Sequence, residues 1–251
     1  MPKVAVILPA AGRSSRFKDK EKKPFAALDG RAVWLRTAEL FVNRPDVVQV
    51  MVVVSPDDME LVRRRFGANL AFMNVQVVQG GSERFESVAN ALAQVRDDAE
   101  LVAIHDAVRP CVTDALVSSV FAKAAETGAA ILAVPVSDTV KLVDEKKNIT
   151  ATKPRAGMWL AQTPQVFRRD WLAEAYADRA KHRDITDDAQ LVEGAGHPVQ
   201  VVEGAATNIK ITTRHDLYLA EAILKSAPKP KTSGPVHPFG ETEMWGGPGL
   251  K

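Results

Sequence analysis

Five stretches of this chain are apolar without regular alternation: VAVIL at 4–8, VQVMVVV at 48–54, NVQVV at 74–78, LVAIH at 101–105 and AAILAV at 129–134. Such β-branched runs predict strands buried on both faces, as in a parallel sheet covered by helices. Between them, apolar residues recur at helical spacing over 32–42, 57–66, 83–95 and 114–126. Thr113 is placed to cap the last of these, with Asp114 in its first turn. Strand and helix in alternation imply right-handed crossovers, hence an α/β fold with a Rossmann-like, doubly wound and mostly parallel sheet.

The rhythm changes after Pro135. The segment VSDTVKLVDEKKNITATKPRAGMWLAQTPQVF is strand-like at both ends with a polar middle at 144–148. A stretch this long without a helix predicts a protruding β-arm at about 137–160. Helices are expected again at 169–180 and 187–193, and HPVQVVEG and TNIKIT read as closing strands. Thr213 with Asp216 three residues on forms a capping-box pattern for a last helix to about Leu224. One domain over 1–224 follows. From 225 to 251 proline and glycine dominate and periodicity is lost, which predicts a disordered tail with Met244 and Trp245 solvated.

Composition narrows the function. At 251 residues, 46% hydrophobic and 25% charged, the chain suits one sizeable globular core. A formal charge of +2 gives no ground for a nucleic-acid partner. The single cysteine, Cys111, excludes an intramolecular disulfide and a cysteine zinc site. No 18-residue apolar stretch suggests a membrane span, and the start runs directly into KVAVIL without a leader pattern, so a cytoplasmic address is expected.

Positive charge is instead local. After the first strand come the small residues Ala10, Ala11 and Gly12, then Arg13, Arg16, Lys18, Lys20, Lys22 and Lys23, with only Asp19 and Glu21 among them. In an open parallel sheet, ligands collect at the carboxyl ends of strands, and small residues let backbone amides approach phosphate oxygens. The dinucleotide fingerprint fails, because Gly12 is the only glycine between Pro9 and Gly30. A Walker A loop fails too, because Phe17 stands where its second glycine belongs, although Lys18 falls on its lysine. What remains is a glycine turn followed by Arg16 and Lys23 as a triphosphate grip, or simply a solvated basic loop. Arg13, Lys18, Lys20 and Lys22 are expected to be solvated or loosely steering.

The segments LPAAGRSSRFKDKEKKPF, VVQGGSERFESVANAL, AIHDAVRPCV, PVSDTVK, LAQTPQVF, DITDDAQLVEGAG and TNIKIT occur in this order. Together they resemble the 2-C-methyl-D-erythritol 4-phosphate cytidylyltransferase family over residues 3–224. The resemblance implies a nucleotidylyltransferase that couples CTP to methylerythritol phosphate with Mg²⁺, releases pyrophosphate, and swaps its β-arm across a homodimer. It further implies that Ala10, Ala11, Gly12, Arg16 and Lys23 form the triphosphate loop and that Gly80, Gly81 and Ser87 read cytosine. Asp106 and Arg109 fall on its HDA-x-R motif. Thr139, Arg155, Thr163, Thr186 and Lys210 match positions around the polyol phosphate and the reacting phosphate. The family's loop usually carries a second glycine where this chain has Ser14. Ribitol 5-phosphate cytidylyltransferases share much of the pattern, and a non-catalytic nucleotide binder of the same fold would share the rest.

The implied chemistry needs cations more than a base. Lys23 and Arg16 would neutralise the triphosphate, and Lys210, from a late strand, would sit at the α-phosphate. An ionised phosphate monoester attacks without a general base, so no catalytic triad is needed. Asp106 would either bind Mg²⁺ or accept from a ribose or substrate hydroxyl. His105 is expected to pack at the strand end. Ser82 reads as an N-cap, Glu83 and Arg84 as shaping the first helical turn, and Asp187 and Asp188 as a structural helix start.

Overall fold

In a computed structural model, which describes residues 2–12, 17, 21–177 and 185–226, the central strand β1 (Val4–Pro9) is buried along almost its whole length. It pairs in parallel with β4 (Val47–Val54) and β6 (Leu101–Ile104). Beyond β4 lies β5 (Val75–Gln79), also parallel. On the other side β10 (Trp159–Arg168) runs antiparallel between β6 and β7 (Ala129–Pro135), and β11 (Gln200–Glu203) closes that edge parallel to β7. The sheet therefore has seven strands in the order β11-β7-β10-β6-β1-β4-β5, while β2 (Ala27–Leu28) and β3 (Arg31–Ala32) pair apart from it. The five apolar runs are five of its six parallel strands, β11 being the sixth.

Alternate residues of β1 feed two separate cores. Val4, Val6 and Leu8 meet α1 (Val33–Val42), α2 (Met59–Met73) and α4 (Asp114–Thr127) through Trp34, Phe41, Phe66 and Phe121. Ile7 points the other way, toward α3 (Arg84–Leu92), α5 (Arg169–Ala177) and α6 (Asp188–Gly194), with Val88, Leu172 and Leu191. Each such fully buried side chain stabilises the fold by about 1.5–3 kcal/mol relative to exposure. A third, smaller core seats α7 (Arg214–Ser226): Phe17, Leu28, Val33 and Cys111 pack with Ile211 and Ala220.

Several local expectations hold in detail. The Thr113 hydroxyl accepts from the Leu116 amide at 3.3 Å and starts α4. Thr213 and Asp216 cap α7 reciprocally, at 2.8 and 3.4 Å. The 144–148 segment is the turn of a two-stranded hairpin, β8 (Val140–Val143) and β9 (Ile149–Lys153), separate from the main sheet. Leu142, Val143 and Ile149 on it are 44–64% exposed, a poor arrangement for a ribbon that must stand alone.

Other expectations are corrected. α2 runs to Met73 rather than stopping at 66, because Leu70 returns to the core and Asn74, at φ 50°, supplies the left-handed stop. Gly67 inside it weakens the helix but does not end it. α3 ends at Leu92, and tight turns through Gln94 and Val95 replace the expected last turn. TNIKIT is no strand. Asn208 is buried with its amide donating to Gln162 Oε1 and the Thr163 carbonyl, and the Ile211 amide donates to the Val108 carbonyl. Its hydrogen bonds thus go to the register break of β10 and to the loop after β6, in place of a regular ladder. No helix among the described residues is long and apolar enough to cross a membrane. The tail from 227 onward and positions 178–180 of the expected α5 lie outside the described residues.

The Cys111 thiol is buried, faces the Ala220 carbonyl at 3.8 Å, and is pushed up to about 11 by burial. It should react with an aromatic disulfide reagent only when α7 leaves its seat. The expected stoichiometry is near zero in native buffer and one thiol per chain in denaturant. Rapid native labelling would contradict the packing of α7.

Candidate active site

The loops after β1, β5 and β6 converge at the carboxyl end of the sheet, where open parallel sheets place their ligands. Between them is a cavity of about 310 Å³ whose walls include Ala10, Ala11, Gly12, Gly81, Ser87 and Asp106. Lys23 and Lys210 line it as well. Lys23 opens a single 3₁₀ turn, Lys23–Phe25, whose Pro24 and Phe25 are buried, so burial of its neighbours holds the lysine over the cavity. The approach to it is pinned: Lys22 Nζ donates to Asp58 Oδ2 at 2.6 Å and Ser55 Oγ at 3.2 Å, and Glu21 pairs with Arg65. Lys22 is therefore a bonded anchor, and the expectation of a solvated or loosely steering base fails for it. Arg16 and Ser14, with Arg13, Lys18 and Lys20, lie outside the described residues.

The turn after β5 is built for close approach. A Cβ on Gly81 would stand 2.3 Å from the Glu86 Cβ, and one on Gly80 would stand 2.7 Å from Ser87 Oγ. Only glycine fits at either place. The Gly81 amide donates to Ser87 Oγ at 3.1 Å, and Ser87 donates on to the Glu83 carbonyl. Gly80 itself does not line the cavity, and its amide donates to the Val54 carbonyl. The N-cap of α3 is Glu83, in a capping box with Glu86, and Ser82 donates to Glu86 Oε2; the helix begins one residue later than a Ser82 cap requires.

Asp106, just past β6, is the electrostatic centre. Its Oδ2 lies 3.0 Å from Lys210 Nζ and 3.2 Å from Arg109 Nε. Burial pushes its carboxyl up, but Lys210, Arg84 and Arg109 outweigh burial and hold it well below the usual carboxylate range. Behind it the Asp106 amide donates to Thr163 Oγ1 at 3.0 Å, and Thr163 Oγ1 is 3.1 Å from His105 Nδ1. His105 Nε2 reaches the Arg109 carbonyl at 3.0 Å, so that nitrogen carries the hydrogen and Nδ1 accepts from Thr163. Burial lowers the His105 imidazole to about 4, which keeps it neutral in this chain of bonds. His105 is thus a strand-end brace, as expected.

A second cavity of about 270 Å³ abuts the first and shares Arg84, Asp106 and Lys210 with it. Arg109, Gln162, Thr163, Thr186 and Asp187 are among its other lining residues. Gln162 and Thr163 lie where the β10–β7 register shifts, between Ala161 and Gln165, which frees them from that ladder. Arg109 is fixed by its bond to the Asn208 carbonyl at 2.7 Å, and Thr186 is tied to Gln190. The Thr163 hydroxyl hydrogen is already engaged by His105, so Thr163 positions the site's wall from within. Thr139 and Arg155 line neither cavity; they sit beside the hairpin, where Arg155 donates to the Ser137 carbonyl. Sequence reasoning missed Arg84. The available signal was a cation in the first turn of a helix, where the macrodipole disfavours it.

Among the described residues no three carboxylate, histidine or cysteine groups gather as a metal cage. Of the carboxylates that line the two cavities, Glu83, Asp106 and Asp187, only Asp106 stands in the wall they share. That suits a hard cation that arrives with phosphate oxygens and water as its remaining ligands, and does not suit a metal held by protein alone.

A mostly parallel α/β sheet with a glycine-lined cavity, cationic side chains and a buried aspartate at its carboxyl end defines an α/β nucleotidyltransferase. The profile of the 2-C-methyl-D-erythritol 4-phosphate cytidylyltransferase (IspD) family matches residues 4–226, and the chain belongs to that family. The enzyme of that name from Rhodopirellula baltica is 46% identical over 88% of this chain and 94% of its own. That from Desulforamulus reducens is 40% identical over 90% and 97%. The crystal structure of the Thermus thermophilus enzyme superposes with a TM-score of 0.75 at 35% identity, covering 89% of this chain and 99% of that one.

Replacing Thr163 by Val should strand the Asp106 amide and His105 Nδ1, each left unpaired at a cost of about 1–3 kcal/mol. Urea unfolding should show the midpoint falling for Thr163→Val and largely recovering for Thr163→Ser. Equal midpoints for wild type and Thr163→Val would refute the relay.

Proposed function

We propose that this protein transfers a cytidylyl group from CTP to 2-C-methyl-D-erythritol 4-phosphate, giving 4-diphosphocytidyl-2-C-methyl-D-erythritol and pyrophosphate. The observation that carries the reading, beside family membership, is the pair of abutting cavities with Asp106 and Lys210 in their common wall. Two anions have to meet, and a shared cationic wall is where they would do so.

In this reading the glycine turn at 10–12 takes the triphosphate, with Lys23 and Arg16 as its cations. Gly81 and Ser87 meet the base: rigid backbone groups there distinguish the amino donor of cytosine from the carbonyl of uracil. Gly80 permits that turn. Arg109 and Thr186 face the polyol phosphate in the second cavity. A phosphomonoester oxygen attacks the α-phosphorus, a P–O bond forms, and the bond to the β-phosphate oxygen breaks as pyrophosphate leaves. Lys210 and Lys23 oppose the charge that develops on the α-phosphoryl and the leaving group; fixed cations of this kind supply most of the acceleration in phosphoryl transfer. Mg²⁺ would be held by Asp106 and supply further charge neutralisation at the phosphates. Asp106 also orients Lys210 and Arg109 through its Oδ2.

The exposed apolar hairpin supports a homodimer in which the β-arm crosses to a second copy and brings Thr139 and Arg155 to the neighbour's second cavity. A cytoplasmic setting suits a chain whose one thiol is buried and unbridged.

Purified protein with Mg²⁺, CTP and methylerythritol 4-phosphate should release pyrophosphate, and ATP, GTP or UTP should not replace CTP. Lys23→Ala and Lys210→Ala should each lower kcat by about 10²–10³. Turnover with ribitol 5-phosphate alone would keep the mechanism and change the substrate. For the swapped arm, inactive Lys23→Ala and inactive Arg155→Ala chains should regain activity when mixed, because one site of each heterodimer is then intact. A monomeric mass by light scattering in a fully active sample would remove the swap.

A further inference from the structure

Arg84 occupies a position that the reaction above leaves unexplained. It is the first residue of α3, yet its side chain lines the first cavity, the second, and a smaller one beside Thr186. One edge of its guanidinium is anchored: Nη2 donates to Asp188 Oδ2 at 2.7 Å, and Asp188 is 1% exposed. The other carboxylate oxygen of Asp188 accepts from the Tyr176 hydroxyl at 2.6 Å. The anchor therefore comes from α5 and α6. Despite this the Arg84 side chain keeps 37% of its surface exposed, and its charge is felt by Asp106 across the shared wall.

A guanidinium is a planar fork that binds an anion on one edge while presenting N–H donors on another. A counter-ion that served only to neutralise a buried aspartate would be enclosed with it. Arg84 instead stands between the two cavities, with Asp188 and Tyr176 as a rigid post behind it. We propose that Arg84 is a further catalytic cation of this site, presenting guanidinium N–H groups to the phosphates that meet at the junction of the two cavities, and that Asp188 and Tyr176 are the positioning residues that aim it. The proposal rests on the cytidylyltransferase reading for the identity of those phosphates, though its demand for an anion at the junction is more general.

The obvious variant, Arg84→Met, leaves Asp188 charged, buried and unpaired, and could fail through folding alone. The double variant Arg84→Met/Asp188→Asn removes both charges and keeps an acceptor for Tyr176. It should unfold within a few degrees of wild type and still turn over at least about 100-fold more slowly, with the larger part of the loss in kcat. Recovery of wild-type kcat in the double variant would overturn the proposal and make Arg84 only the partner of Asp188. Arg84→Lys keeps the ion pair but not the fork, and should fold normally with kcat down at least about 10-fold. Full activity in Arg84→Lys would likewise overturn the fork. Calorimetric binding of inorganic pyrophosphate, compared between wild type and the double variant, separates this from the choice of substrate. A wild type inactive with CTP and methylerythritol phosphate would defeat the functional reading, while an affinity for pyrophosphate about 10-fold weaker in the double variant would still uphold Arg84. Equal affinities would count against it.

Discussion

A buried carboxylate at the end of a β-strand is tolerable only if cations and hydrogen-bond donors surround it, because the several kcal/mol lost on leaving water must be recovered locally. Asp106 meets that condition through residues from four places in the chain. Arg109 follows it by three positions, Lys210 comes from a loop about a hundred residues on, Arg84 stands at the start of α3, and Thr163 receives its amide. The requirement works in both directions. Asp106 holds the cations in place, and the cations keep Asp106 ionised. Each of these residues also belongs to a wall of one or both cavities, so neutralising the aspartate and assembling the site are the same event.

The long connections of the fold make sense as ways of delivering these partners. The antiparallel β10 enters between β6 and β7 and shifts register at 162–164, which lets Gln162 and Thr163 turn to the crevice while the rest of the strand stays in the ladder. The 207–212 segment gives up strand geometry because Asn208 hydrogen-bonds into that same break, and in doing so its carbonyl takes Arg109. Lys210 then follows two residues later at the right height. The third core under α7, closed by Ile211 and Ala220, holds this loop from outside. Packing at the surface is thus tied to charge placement at the centre.

The glycine turns and the anchored lysine show the same economy on the other side. Gly81 lies under Glu86 and Gly80 under Ser87, so the backbone after β5 comes close to both its own helix and the cavity. Lys22, bonded to Ser55 and Asp58, ties the basic loop to the end of β4, so that the next residue, Lys23, has a defined direction.

The five apolar runs, the caps at Thr113 and Thr213, the hairpin and the motif residues Ala10 to Gly12, Lys23, Gly81, Ser87 and Asp106 were legible along the chain, because each depends on neighbours within a few positions or on an order of motifs. Strand periodicity, capping and turn chemistry are local. Local patterning was therefore enough to specify a mostly parallel α/β sheet and the small residues after its first strand that line a cavity. The end of α2 was not legible, since Leu70 finds its partners only in the folded core. Nor were the loop conformation of TNIKIT, the anchoring of Lys22 or the place of Arg84. Lys22 looked like one base among six, and Arg84 like a residue of a helical turn. Folding makes one a bonded anchor and stands the other between two cavities. Their partners, Asp58 and Asp188, lie 36 and 104 positions away. Charge pairing across such separations is set by the packing of helices on a sheet and leaves no periodic trace in the chain.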